Sequence, residues 1–264
     1  MRVRLMIIIG VLGFAVATAV TASAQGTTMK WAVDGEKREA LVFPPQTAGV
    51  KHPLVFAFHG HGGNMQSFAQ KAHIQTLWKE AIVVYPQGVK RPSANDPQGD
   101  RTGWQVEANQ PNIGNKDLHF FDAMLATMQQ TYQVDDRRVY AAGFSNGAGF
   151  SFLLWAERGN ALAAIGECAG RLAPSVHLTL PRALIAIASK ADKTNPFRAQ
   201  FRAIETAREA DNATGSGQPC GQDCTIYPST TQTPVKTFMH PDGHIYPPWA
   251  SKEIVKFFKA HQQP

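Results

Sequence analysis

The chain has 264 residues, of which 44% are hydrophobic and 17% charged, so it can bury a sizeable core. Its formal net charge of +6 is scattered along the chain with no basic block, which argues against a nucleic acid or a membrane surface as partner. Neither an internal repeat nor a low-complexity tract interrupts it, and a single domain is expected.

The first residues, "MRVRLMIIIGVLGFAVATAVTASAQ", carry two arginines, an apolar run and then Ala22-Ser23-Ala24, the small-residue spacing that a signal peptidase needs. Residues 1–24 therefore read as a signal peptide and residues 25–264 as one mature domain, secreted or periplasmic. A retained anchor fits less well, because the apolar run is short and thins into Thr and Ser. With Arg2 and Arg4 removed, no remaining segment is apolar enough to span a bilayer, and no stable membrane association is expected after cleavage. In an oxidising compartment Cys220 and Cys224 of "PCGQDC" can close a small disulfide loop, which leaves Cys168 unpaired. Two cysteines without a second Cys or His pair at ligand spacing do not make a metal cage.

Short alternation on both sides of Asp34-Gly35 predicts a hairpin in "MKWAVDGEKREALVFPP". "PLVFAFHGHGG" is a continuous apolar run ended by glycines, which suits a strand buried on both faces. Residues 65–79 read as one helix with Phe68, Ala72, Leu77 and Trp78 on its inner side. Strands follow in "AIVVYPQG" and "RRVYAAGFS", helices in "KDLHFFDAMLATMQQTY" and "GAGFSFLLWAER". Further strands are expected at "AAIGEC", "ALIAIAS" and "PVKTFMH", and further helices near residues 197–210 and 249–261. This alternation implies an α/β architecture, a mostly parallel sheet with helices on both faces. Residues 86–115, rich in Pro, Gly, Asn and Asp, lack periodicity, and a loop of that length in a compact domain has a function or is disordered.

Within "YAAGFSNGAGFS", Ser145 stands between Gly143 and Gly147 at a strand-to-helix junction, the GxSxG pattern of a nucleophile elbow. A serine hydroxyl needs a base to take its proton and a carboxylate to orient that base. Asp192 follows the strand "ALIAIAS" directly, and His244 follows the last strand with a glycine before it that permits a tight turn. Asp211, Asp223 and Asp242 are the competing acids; none follows a strand as directly. His240 competes with His244 but lies on the strand or at its end.

Donors for an oxyanion are expected from the backbone N–H of Asn146 and from the loop His59-Gly60-His61-Gly62-Gly63, where His61 is the first choice and Gly62 the second. A metal pair at His59 and His61 lacks a nearby carboxylate. Trp104 in the long loop is either an aromatic wall for substrate or a packed loop anchor. Asp117 reads as an N-terminal helix charge and not as a catalytic acid. The Cys220–Cys224 loop either braces the edge of the site or plainly stabilises the fold.

The segments "LVFAFHGHGG", "TGW", "KDLHFFDAML", "VDDRRVYAAGFSNGAGFSFLL", "AAIGECAG" and "DGHIYPPW" together resemble the secreted α/β-hydrolases grouped as polyhydroxybutyrate depolymerase-type esterases, close to the feruloyl and acetylxylan esterases of carbohydrate esterase family 1. The resemblance covers nearly the whole mature chain. It implies a serine esterase with Ser145, Asp192 and His244 as triad, requiring no metal and no organic cofactor, with a small or oligomeric ester as substrate. Two departures stand out: "IASKADKTNPF" lacks the His-Gly pair that usually precedes the acid, and the last helix ends close to the last residue with no linker to a binding module, which favours soluble esters. An acyltransferase of the same fold, or a binding protein with an inactive fold, is the alternative function.

Overall fold

The structure, a computed structural model, describes residues 26–93, 96–111 and 113–263; the expected signal peptide lies outside them. In chain order its elements are β1 (Thr27–Val33), β2 (Glu36–Phe43), β3 (His52–Phe58), α1 (Met65–Ala72), α2 (Ile74–Leu77), β4 (Ile82–Pro86), β5 (Val89–Lys90), β6 (Thr102–Gly103), α3 (Lys116–Thr131), β7 (Val134–Phe144), α4 (Asn146–Arg158), β8 (Ala164–Cys168), β9 (Ala183–Ser189), α5 (Phe197–Ala210), β10 (Gln218–Gly221), β11 (Cys224–Tyr227), β12 (Val235–His240) and α6 (Ala250–Lys259).

Asp34 and Gly35 both take positive φ, 50° and 77°, as a two-residue hairpin turn requires, and they join β1 to β2 in antiparallel register. The sheet runs β1-β2-β4-β3-β7-β8-β9-β12-β11-β10. Its centre, from β4 through β12, is parallel, and the strands added at either side are antiparallel. Every residue of β3, β4, β8 and β9 is buried, which is why these strands read as unbroken apolar runs. Alternate side chains enter two cores. Leu54, Phe56 and Phe58 pack with α3 and α4 on one face, whereas Val55 and Ala57 pack with α1 and α6 on the other.

Two expectations need correction, and the expected Cys220–Cys224 disulfide is present. The single helix over 65–79 is two helices, broken at His73, whose φ is 38°. The break is held by Tyr85 of β4: its hydroxyl accepts the Ile74 amide (2.9 Å) and donates to Gln75 Oε1 (2.7 Å). The long loop holds a small ribbon, β5 with β6. The hairpin β10–β11 extends the sheet beyond β12 and carries the Cys220–Cys224 disulfide, so the small loop stabilises the outermost hairpin, while Cys168 is free and buried.

Asp117 does more than complement a helix dipole. It is fully buried in the first turn of α3, and its Oδ1 accepts from Arg38 (2.7 Å) and Arg91 (3.0 Å). Its Oδ2 accepts the Gln105 amide (2.7 Å), and its own amide donates to the Gln105 side chain (2.8 Å). One carboxylate thus ties β2, the ribbon and α3 together. Replacing Asp117 with Ala leaves two buried guanidiniums without a counter-charge and is expected to cost about 3–5 kcal/mol, measured as a lowered urea midpoint.

Two other buried carboxyls make no ion pair among the described residues. Glu167 on β8 accepts the Gly170 amide (2.8 Å) and no other donor among the described residues, and burial raises its pKa to about 8; Asp211, at the C-terminus of α5, accepts the Arg182 amide (2.6 Å) and is likewise raised to about 8 by burial. An unfolded carboxyl titrates near 4, so between about pH 4 and pH 8 the folded state holds protons that the unfolded state has released. The contribution of these two carboxyls to stability therefore falls as pH rises through that window and levels off above it. A Glu167→Gln variant should show a shallower fall in thermal midpoint across the same range.

Candidate active site

Ser145 leaves β7 with φ 55° and ψ −114°, a strained conformation for a residue with a side chain, and begins α4. The turn is possible because its flanks are glycine. A β-carbon on Gly143 would lie 2.3 Å from the Gly147 carbonyl, and one on Gly147 would lie 2.3 Å from the Phe58 carbonyl oxygen. The Ser145 amide donates to the Cys168 carbonyl (2.8 Å), tying the elbow to the end of β8.

The structure brings Ser145, His244 and Asp192 into one chain of hydrogen bonds. Ser145 Oγ is 2.9 Å from His244 Nε2, and His244 Nδ1 is 2.7 Å from Asp192 Oδ2. A carboxylate only accepts, so Nδ1 carries the proton and Nε2 turns its lone pair to the serine hydroxyl. Asp192 is buried, and its Oδ1 accepts the amides of Thr194 (2.8 Å) and Asn195 (2.9 Å), while Gln200 Nε2 donates to Oδ2 (3.0 Å). Gly243, with φ 75°, makes the turn that returns His244 toward the sheet, and its amide is held by Ser189 Oγ (3.0 Å). His240 stays buried at the end of β12, where its Nδ1 accepts the Asp242 amide (3.3 Å); burial lowers its pKa.

Beside Ser145, the loop 59–63 is fixed from within. His59 donates through Nδ1 to the Gly60 carbonyl (2.8 Å) and accepts the Gly88 amide at Nε2 (3.0 Å). Burial lowers its pKa to about 4, so it is neutral at physiological pH. The Gly62 amide is engaged by the Thr102 carbonyl (2.7 Å) and the Gly63 amide by the Gly60 carbonyl (3.0 Å), whereas the His61 and Asn146 amides have no acceptor among the described residues. The segment 102–105 joins the two. Thr102 Oγ1 donates to the Gly63 carbonyl (2.6 Å), and the Asn146 side chain accepts the Trp104 amide (2.7 Å) and donates to its carbonyl (3.0 Å). Gln105, next along, is the residue locked to Asp117.

Trp104 is therefore the packed anchor and not an aromatic wall for substrate. It is only 3% exposed, its indole N–H donates to the His59 carbonyl (2.9 Å), and its ring stacks on Phe150. The Asp192 cradle was not foreseen, although two signals for it exist. "DKTN" permits an aspartate to accept amides two and three residues on, and Gln200 falls on the apolar face of α5 with Ala203, Ile204 and Ala207, where a glutamine needs a partner. Among the described residues no cluster of three or more His, Cys, Asp or Glu side chains could hold a metal, and no helix is long and apolar enough to cross a membrane.

Curated relatives include a bifunctional acetylxylan esterase/xylanase of Neocallimastix patriciarum, 27% identical over 138 residues, covering 52% of this chain and 18% of the relative. Another is a probable feruloyl esterase C of Aspergillus clavatus, 32% identical over 117 residues, covering 44% and 39% respectively. The chain thus spans less than half the length of either. Among solved structures, an acetyl xylan esterase from Aspergillus awamori superposes with a TM-score of 0.68 at 12% identity, over 89% of this chain and 99% of that one. A thermostable esterase gives 0.64 at 15% identity, over 90% and 64%, and both likenesses show the α/β-hydrolase fold. The family described as esterase PHB depolymerase matches residues 38–203, and the chain belongs to that family.

Proposed function

We propose that this protein is an exported serine esterase that cleaves carboxylic esters through a Ser145 acyl-enzyme. The observation that carries the reading is the unbroken Ser145–His244–Asp192 chain, at 2.9 and 2.7 Å, on a strained elbow next to two amides without an acceptor among the described residues. His244 takes the serine proton as Oγ attacks the ester carbonyl, and Asp192 steadies the imidazolium that forms. The oxyanion is received by the amides of His61 and Asn146, positioned before the reaction by the 102–105 segment. His244 then protonates the leaving alcohol, and water repeats the sequence on the acyl-enzyme. No metal or organic cofactor enters these steps.

The relatives named for feruloyl and acetylxylan esters, and the family named for a polyester, set the substrates to compare. We assign the chain to feruloyl or acetyl esters of plant polysaccharide or to 3-hydroxybutyrate oligomers. Hydrolysis of methyl ferulate, acetylated xylan and a soluble 3-hydroxybutyrate oligomer by the purified mature protein decides between these. Turnover of none of them overturns the esterase reading.

On whichever ester is preferred, Ser145→Ala should lower kcat by about 10⁶-fold and Asp192→Asn by about 10⁴-fold, with KM little changed. Steady-state kinetics on folded variants checks both, and a loss below about tenfold in either removes that residue from the mechanism.

A further inference from the structure

A cavity of about 460 Å³ opens beside the β5 strand and the start of β2. Its polar wall is Glu36, Lys90, Arg91, Ser93 and Gln110, and no residue of the triad or of the 59–63 loop lines it. Ten buried side-chain nitrogen and oxygen atoms lack a partner among the described residues, and six of them gather in this wall or directly behind it. They are Glu36 Oε2, Gln110 Oε1, and Nε and Nη1 of both Arg38 and Arg91. The cause is visible in the ion pairs: Arg38 and Arg91 share one oxygen of Asp117, which leaves the rest of both guanidiniums without acceptors. Arg91 is 7% exposed; burial lowers its pKa, Asp117 opposes that shift and Arg38 adds to it.

The charges around the cavity do not balance. Among the described residues, the ion pairs at the cavity and behind it join Arg38, Arg91 and Lys116 to two carboxylates, Asp117 and Glu36, with Lys116 at 2.8 Å from Glu36, while Lys90 in the wall has no ion pair. Positive charge held in a partly dry wall attracts an anion. The unsatisfied acceptors on Glu36 and Gln110 call at the same time for hydroxyl donors. The Glu36 carboxylate also disfavours a second negative charge on the occupant, so a monoanion suits the wall better than a dianion. A cavity of this volume falls in the range of small-molecule sites, which run from about 300 to 1,000 Å³. We propose that it binds a polyhydroxylated carboxylate of monosaccharide size, a sugar acid, with the carboxylate toward Lys90 and Arg91 and hydroxyls toward Glu36 and Gln110.

Calorimetric titration of the mature protein with glucuronate, glucose and inorganic phosphate tests this, and because it reads binding it stands even if the esterase reading fails. Glucuronate should bind with Kd of about 1 mM, and glucose, which has similar hydroxyls without the carboxylate, about tenfold more weakly or worse. Added salt should weaken the glucuronate complex. Lys90→Gln should weaken it about threefold and Arg91→Gln about tenfold. If Arg91→Gln fails to fold for want of its pair with Asp117, the Lys90 variant and the glucose comparison decide. No glucuronate binding at about 50 mM, equal affinity for glucose, or unchanged affinity in the Lys90 variant overturns the proposal. Tighter binding of phosphate than of glucuronate overturns the sugar-acid assignment.

Discussion

The approach of α4 to the end of β3 is the contact on which the site depends. Gly147 sits against the Phe58 and His59 carbonyls with no room for a β-carbon, and Gly143 sits equally close to Gly147. These distances bring the start of the helix directly over the sheet, and Ser145 is left with a backbone conformation that little else would select. Strain of this kind persists only where the surroundings over-determine it. Here the Ser145 amide is held by β8 and its carbonyl accepts the Gly149 amide, so neither end of the elbow can relax alone.

Around this fixed point the other groups are suspended from separate supports. Asp192 hangs from two backbone amides and Gln200, and Asn195 ties the same loop to the Ala169 carbonyl beside the elbow. The 59–63 loop hangs from the 102–105 segment, which leads through Gln105 to the buried pair of arginines on Asp117. The long irregular stretch is thus a strut. It connects a core ion-pair cluster to the amides next to the nucleophile, which accounts for a loop of that length in so compact a domain.

Much of this was legible in the residues. Continuous apolar runs marked the central strands because both sheet faces are covered, and the glycines around Ser145 marked the elbow because only glycine fits there. What escaped depended on distant partners. Nothing local to Asp117 announces Arg38 or Arg91, which come from other elements, and the break at His73 depends on a tyrosine hydroxyl twelve residues along the chain. Trp104 was ambiguous for a related reason: a tryptophan in a polar loop looks the same in sequence whether its ring meets solvent or Phe150.

The outermost strand has a consequence for how copies of this protein meet one another. A sheet that ends in a free strand offers its unpaired N–H and C=O groups to any other chain, which invites edge-to-edge association. β10 is a poor template: it is four residues long, Pro219 brings no N–H, and its pairing is irregular between Pro219 and Gly221. The Cys220–Cys224 bond fixes that irregularity in place. At this end of the ten-stranded sheet the staple therefore helps keep an eleventh strand from being borrowed from a neighbour.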